Sequence, residues 1–371
     1  MRIVIAAGGT GGHINPGISV AEAVQKKWPE SEILFICSKR EIEERIYTRK
    51  GLPFKQINAR GMQRGLLSKL LFPVTLFASV FESFTIITRF RPQVVLGMGG
   101  YVGVPPMIAA RLLGIPTALH EQNSIPGKAN RLAARFASAV MTGFRQASSC
   151  FRGRDPFFTG NPIRTGLLDA TRADALRVFG FREGVFTLLV VGGSQGAAGI
   201  NRLAVGALGI LKGKGFDVQV IHMAGKARDE VAAGYAARKI EARCETYFED
   251  IGLAYVIADL VVSRAGAIAL AEITAFAKPA ILIPYPYSAD GHQKRNAQCL
   301  AEQGAVSVLD EDAATDQTLA SEIERFYTDV VLRKRTGERS GQFAVKDAQE
   351  KMIGVLQTLL QKVSHTHAGR H

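Results

Sequence analysis

Short apolar runs alternate along the chain with stretches whose apolar residues recur at helical spacing. The runs fall at 3–6, 33–36, 94–96, 116–120 and 139–142, and again at 186–191, 218–221, 244–247, 260–262, 280–283 and 306–309. Apolar runs without polar alternation predict strands buried on both faces, the signature of parallel sheets covered by helices. Stretches 320–326 and 346–362 predict closing amphipathic helices, the second able to pack back across the first half. The turn-rich segment Thr159-Gly160-Asn161-Pro162-Ile163 is the expected seam between the halves. The pattern predicts an α/β protein of two parallel-sheet domains, 1–160 and 161–345. A C-terminal helix over 346–363 and a disordered polar tail over 364–371, with His365, His367 and His371, complete the expected organisation.

In each half the first strand runs into glycines and then into helix formers. Gly8-Gly9-Thr10-Gly11-Gly12-His13 follows the run 3–6, and Gly192-Gly193-Ser194-Gln195-Gly196-Ala197 follows 186–191. Such turns bring backbone N–H groups and a helix N-terminus close to a phosphate or another anion. Two of them predict two nucleotide-binding-type halves facing each other across a cleft.

A length of 371 residues suits two domains, and 47% hydrophobic with 21% charged residues excludes wholesale disorder. The net charge of +13 is unevenly placed. Up to Ile163 there are 21 basic and 9 acidic residues, and from Arg164 onward 25 and 24. The first half therefore suits an anionic partner, such as acidic lipid or a phosphorylated substrate. It shows no aromatic-basic interleaving, which argues against nucleic acid. Cys37, Cys150, Cys244 and Cys299 form no CxxC pair, so neither a disulfide framework nor a zinc site is expected. No signal peptide is expected, because Met1-Arg2 leads straight into a strand. The apolar stretch 70–81, interrupted by Pro73, is too short to span a bilayer.

Hydride chemistry fits poorly. An NAD site wants GxGxxG and an acidic residue after the second strand, whereas this chain has GGTGGH and then Cys37-Ser38-Lys39. His13 sits in the first turn of the predicted helix, whose N-terminus favours the neutral imidazole that can accept a proton. Further polar clusters follow other predicted strands: Gly97 to Tyr101, His120-Glu121-Gln122-Asn123, Gly160 to Arg164, Ser263 to Ala267 ahead of Glu272, and Asp290 to Gln293. Open α/β sheets bind ligands at that edge.

Taken in order, GGTGGH, HEQN with PGxxNR, GNPxR, GGSQGA, RAGA with a downstream Glu, and HQxxNA resemble the MurG family. These bacterial enzymes add N-acetylglucosamine to the lipid-linked muramyl-pentapeptide precursor of peptidoglycan. The resemblance covers all but the C-terminal tail. It implies a GT-B fold, two Rossmann-like domains clasping a sugar nucleotide. The donor UDP-N-acetylglucosamine would lie mainly on the second half. There Glu272 resembles the ribose ligand, Ser194 and adjacent glycine amides the phosphate contacts, and Phe248 the position whose backbone reads uracil. Ala267 and Ile268 would offer a helix N-terminus to phosphate and sugar, and Gln293 would read the sugar hydroxyls. Arg164 would add charge-assisted bonds to the diphosphate or sugar, and Asn123 would reach the sugar from the first domain. Thr10, Gly11 and Gly12 would complete the donor or acceptor-diphosphate pocket. Gly103 departs from the family, which often has serine there.

The implied reaction is an inverting displacement, in which the acceptor's 4-hydroxyl attacks the anomeric carbon opposite UDP. The hydroxyl needs a base, and His13 and Glu121 are the two candidates. Sequence does not choose between them, although His13 is favoured. No metal or cofactor is expected: Asp310-Glu311-Asp312 has the DxD pattern of metal-dependent transferases, but reads better as capping a helix near Thr315. Arg60, Arg64 and Lys69 flank apolar residues between Leu66 and Phe77, with Arg89 and Arg91 beyond. That combination suits an anionic membrane. The expected setting is peripheral, at the cytoplasmic face of the bacterial inner membrane. The acceptor would be undecaprenyl-pyrophosphoryl-MurNAc-pentapeptide. Rival readings are a UDP-N-acetylglucosamine epimerase of the same fold and a non-catalytic nucleotide-sugar-binding module at the membrane.

Overall fold

Ile3, Val4, Ile5 and Ala6 have no accessible surface, as a strand covered on both faces requires. In a computed structural model of the chain they form part of β1 (Arg2–Ala6), an inner strand of a fully parallel seven-stranded sheet. The structure describes residues 1–9, 11–59, 66–192 and 197–368, without the side chains of 66–71 and 363–368. The chain divides into two compact units, Met1–Thr165 with Asp347–His371, and Gly166–Lys346.

The first unit adds β2 (Glu32–Ser38), β3 (Phe54–Ile57), β4 (Val94–Gly97), β5 (Thr117–Glu121), β6 (Ala139–Thr142) and β7 (Phe157–Phe158), in the order β3-β2-β1-β4-β5-β6-β7. Its helices are α1 (Gly11–Lys27), α2 (Glu41–Arg49), α3 (Leu66–Phe90), α4 (Val104–Leu112), α5 (Lys128–Ala133) and α6 (Arg145–Ser148). The second unit carries β8 (Phe186–Val191), β9 (Val218–Met223), β10 (Glu241–Glu245), β11 (Leu260–Ser263), β12 (Ala280–Leu282) and β13 (Ser307–Val308), ordered β10-β9-β8-β11-β12-β13 and again parallel. Its helices are α7 (Arg172–Phe179), α8 (Ala198–Gly213), α9 (Arg228–Ala237), α10 (Ile251–Ile257), α11 (Ala267–Ala275), α12 (His292–Ala301), α13 (Asp316–Thr328) and α14 (Val330–Gly341). Numbered within its unit, each sheet contains the Rossmann order 3-2-1-4-5-6. The strand order reverses between β1 and β4 and between β8 and β11, and the carboxyl ends flanking those points are where such sheets bind ligands.

The last helix, α15 (Ala348–Ala368), belongs to the first unit. Its Met352, Ile353, Leu356 and Leu359 join Ile3, Ile5, Ile14 and Leu96 in one buried cluster, and Gln349 Nε2 donates to the Ile163 carbonyl at 2.6 Å. The helix continues through 364–368, expected from sequence to be a disordered tail; between Gly354 and Gly369 the chain has no glycine or proline to end it. Extending a formed helix adds a hydrogen bond per residue without a new nucleation cost. Residues 369–371 lie outside the described residues.

Three strands differ from expectation for one reason. β3 and β7 were not foreseen, and β10 spans Glu241–Glu245 rather than 244–247. None has the continuous apolar run of an inner strand: β3 and β10 are polar edge strands, and the edge strand β7 is only two residues long. α3 also runs through Pro73. Among the described residues, no helix is long and apolar enough to cross a membrane.

Candidate active site

At the end of β1 the backbone is pinned from below. Glu43, fully buried on α2, accepts from the Gly9 amide (2.7 Å), the Ser38 amide (2.8 Å) and the Ser38 hydroxyl (2.6 Å). Tyr47 donates to the Ala7 carbonyl at 2.7 Å. A Cβ on Gly8 would stand 2.5 Å from Glu43 Oε2, so glycine is what lets the chain pass over this carboxylate. The Gly9 amide, part of a turn expected to cradle an anion, is therefore spent on a protein carboxylate. Thr10 lies outside the described residues. Gly11 and Gly12 form the first turn of α1, and His13 follows them.

Across the strand-order reversal, β4 and β5 bring a second set of groups to His13. His13 Nδ1 lies 3.0 Å from Gln122 Oε1. Gln122, buried just beyond β5, donates through Nε2 to the Met98 carbonyl (2.8 Å) and lies 3.0 Å from His120 Nδ1. His120 Nε2 is 2.9 Å from the Gly160 carbonyl, and burial pushes its imidazole down to about 4. Gly99 takes a positive φ of 95°, and a Cβ there would lie 3.1 Å from both Gln122 Oε1 and His13 Cε1.

Glu121, between these two residues, is engaged elsewhere. Its carboxylate accepts from the Asn123 amide (2.8 Å), Asn123 Nδ2 (3.1 Å), the Gly127 amide (3.3 Å) and Asn130 Nδ2 (2.7 Å). Burial raises its pKa, and the bonds from Asn123, Asn130 and Gly127 oppose that rise. Both oxygens are thus used in folding the 121–130 loop. Arg164 is half-buried and lies in the first unit, which runs to Thr165 rather than to the expected boundary at 160.

In the second unit, Ser194 and its neighbours 193–196 lie outside the described residues. Glu272 is buried on α11 and accepts from the Tyr255 hydroxyl at 3.2 Å. Ala267 and Ile268 open that helix, whose N-cap Gly266 supplies no side-chain cap bond. Gln293 is in the first turn of α12, where its Oε1 accepts from the Tyr285 amide at 2.9 Å. Asn296 on the same helix donates to the Ala265 carbonyl at 3.2 Å, tying the turns after β11 and β12 together. The Phe248 ring meets Phe179 edge-on with centroids 5.9 Å apart.

The Asp310-Glu311-Asp312 segment caps nothing. Thr315 and Thr318 form the capping box of α13 themselves. Glu311 instead makes a two-pronged pair with Arg264 (2.6 and 2.8 Å), and Asp310 pairs with Lys294 at 3.1 Å. Arg264 also donates to the Ile283 carbonyl, so it braces the carboxyl ends of β11 and β12. Sequence reasoning missed Gln122, Asn130 and Glu43 as shapers of the site. HEQN held the only signal for Gln122, a polar residue two positions after another polar residue at a strand end.

Two consecutive Rossmann-like units, each with its polar residues at the carboxyl edge of its sheet, define the GT-B class of glycosyltransferases. Residues 3–142 match the glycosyltransferase family 28 N-terminal domain and residues 187–352 the glycosyltransferase family 28 C-terminal domain. The chain is 40% identical to the UDP-N-acetylglucosamine–N-acetylmuramyl-(pentapeptide) pyrophosphoryl-undecaprenol N-acetylglucosamine transferase of Pelobacter propionicus, over 96% of this chain and 99% of that one. The crystal structure of Acinetobacter baumannii MurG superposes with a TM-score of 0.77 at 26% identity, covering 96% of this chain and 99% of that one. A UDP-GlcNAc 2-epimerase from Neisseria meningitidis reaches 0.67 at 12% identity, covering 96% and 100%, a likeness of fold alone. The chain belongs to glycosyltransferase family 28 and, within it, to the MurG family.

Proposed function

We propose that this chain transfers N-acetylglucosamine from UDP-N-acetylglucosamine to the 4-hydroxyl of the lipid-linked muramyl-pentapeptide. The observation that carries this reading is the 40% identity with the Pelobacter propionicus transferase along nearly the whole of both chains. The acceptor oxygen attacks the anomeric carbon, its proton passes to His13, and the bond to the diphosphate breaks with its electron pair leaving on UDP. A base so placed contributes about 10²–10⁴-fold. His13 suits the role through its hydrogen bond to Gln122, whereas the Glu121 carboxylate already accepts four hydrogen bonds. Glu121 is accordingly a positioning residue.

Glu272 is the ribose ligand in this reading, a carboxylate suited to two vicinal hydroxyls. Gln293 and Asn123 read the sugar, and the chain near Phe248 reads uracil. Ser194 with its neighbouring amides, the α11 N-terminus at Ala267 and Ile268, and Arg164 stabilise the departing diphosphate. Thr10, Gly11 and Gly12 complete the donor or acceptor-diphosphate pocket. The enzyme works at the cytoplasmic face of the inner membrane, held to anionic lipid by α3. Val74, Phe77, Phe81 and Phe84 recur there at helical spacing and are all exposed, Phe77 by 75%. Exposed Arg89 and Arg91 lie at and just beyond its end.

Purified protein is given labelled UDP-N-acetylglucosamine with and without a polyprenyl-diphosphoryl-MurNAc-pentapeptide. Transfer to the lipid, with UDP released in equal amount and His13→Ala slower by at least about 10²-fold, is expected. Conversion of the sugar nucleotide to an epimer without acceptor would overturn the reading.

A further inference from the structure

We propose that Gln122, backed by His120, is a positioning residue that fixes the tautomer of His13, so that the hydrogen sits on Nδ1 and Nε2 is the proton-accepting nitrogen. The proposal rests on the reading of His13 as the base.

Hydrogen-bond polarity around one buried amide carries it. Gln122 is 2% exposed, and its Nε2 lies 2.8 Å from the Met98 carbonyl and 3.3 Å from the His120 carbonyl. Carbonyl oxygens only accept, so the NH₂ group must lie on that side; the reverse orientation would set oxygen against oxygen. Oε1 is therefore the atom 3.0 Å from His13 Nδ1. A carboxamide oxygen cannot donate, so His13 Nδ1 carries the hydrogen. A neutral imidazole has one N–H, which leaves the lone pair on Nε2.

His120 orders the next link. Its Nε2 faces the Gly160 carbonyl at 2.9 Å and must donate. Its Nδ1 is then an acceptor for a Gln122 N–H at 3.0 Å. Full burial keeps this imidazole neutral at physiological pH, so the polarity does not invert there. From the Gly160 carbonyl through His120 and Gln122 to His13, every donor meets an acceptor. Alternation along an extended chain puts residues two apart on one side. His120 and Gln122 thus serve His13, while Glu121 between them serves the 121–130 loop. Orienting the base through a third group is the logic by which acid–base sites select one tautomer, and a wrong tautomer is costly.

Long-range ¹H–¹⁵N NMR of the full chain labelled in histidine reads the two nitrogens directly, at a pH where the imidazole is neutral. His13 is assigned by the signal lost in His13→Asn. The expected wild-type pattern has a hydrogen on Nδ1 and none on Nε2. Gln122→Met should move the hydrogen to Nε2 and lower kcat by at least about ten-fold. KM for UDP-N-acetylglucosamine should stay within about two-fold, as expected when an interaction acts on the chemical step. A wild-type spectrum with Nε2 protonated, or an unmoved tautomer in Gln122→Met, would overturn the proposal, and the wild-type spectrum decides even if the variant does not fold. The expected tautomer together with a fully active His13→Ala enzyme would instead remove His13 as base, and with it the catalytic half of the proposal.

Discussion

Glu121→Gln separates two roles open to a buried carboxylate beside His13, the proposed base. The glutamine keeps one oxygen, which can still accept from the Asn123 amide and Asn123 Nδ2. The other oxygen becomes an NH₂ group facing the Gly127 amide and Asn130 Nδ2, now 3.3 and 2.7 Å from the carboxylate. A buried donor without an acceptor costs about 1–3 kcal/mol. Two offsets reduce the sum: a neutral amide is cheaper to bury than a carboxylate, and Asn130 can turn its own amide. A net loss of about 2 kcal/mol follows, or roughly 4–8 °C in the melting temperature of a unit of this size. The assay is selective, because the single tryptophan, Trp28, packs on the buried cluster of the first unit and its emission follows that unit alone. Turnover should fall by no more than about ten-fold, through loosening of the adjacent Gln122, since the base itself is intact. The opposite pairing, an unmoved Trp28 transition with turnover reduced more than about 10³-fold, would make Glu121 the base and refute the argument.

Other perturbations test neighbouring parts of the structure. His222, between the Tyr235 hydroxyl (2.9 Å) and Asn201 Oδ1 (3.0 Å), is pushed by burial from 6.5 down to about 3. The unfolded chain takes up a proton near 6.5 that the folded chain refuses until about 3, so this stability is full at neutral pH and is lost as pH falls. Urea unfolding should show about 2 kcal/mol lost between roughly pH 7 and 5 that is missing in His222→Gln; equal pH slopes would contradict it. Gly99→Ala forces an L-residue to a φ of 95° with its methyl 3.1 Å from His13 Cε1. It should cost about 1–2 kcal/mol and lower kcat with little change in donor KM; wild-type turnover would count against the tight His13–Gln122 joint. Phe77→Ser with Phe81→Ser should leave unfolding within about 0.5 kcal/mol. Flotation with anionic vesicles should nevertheless weaken by at least about ten-fold, given about 1.5–3 kcal/mol for each phenylalanine buried in lipid. Undiminished flotation would remove α3 from membrane binding.

The inner strands were legible because burial on both faces leaves uninterrupted apolar runs, and β1, β6 and β8 lie where those runs do. Edges were illegible for the converse reason. Glu241-Ala242-Arg243-Cys244-Glu245 pairs only with β9 and exposes much of its surface, so backbone pairing rather than side-chain burial makes it a strand. The tail of α15 shows the same limit. The polar sequence from Ser364 onward reads as unstructured, yet helix propagation from a packed segment carries α15 to Ala368.

The site divides along a similar line, between residues visible by type and residues visible only by partner. His13, Glu272 and Gln293 stand out because each follows a strand–glycine turn or opens a helix. Their placement after β1, β11 and β12 follows from strand order alone. The tasks of neighbouring residues do not follow from their type. Among the described residues, Glu121 and Glu43 are both buried carboxylates that accept only from neutral amide or hydroxyl groups, and each holds a loop in shape. Asp310 and Glu311 look like metal ligands until Lys294 and Arg264 are seen against them. Which acid is free for chemistry depends on where the donors are: Asn123 and Asn130 reach Glu121 from the loop after β5 and from α5, Gly9 and Ser38 reach Glu43 from the ends of β1 and β2, and these meet only once the sheet has formed. The polarity of Gln122 is the extreme case. No property of a glutamine between Glu121 and Asn123 indicates which end of its amide faces a histidine 109 residues earlier; two backbone carbonyls decide it, and through them the nitrogen on which His13 carries its hydrogen.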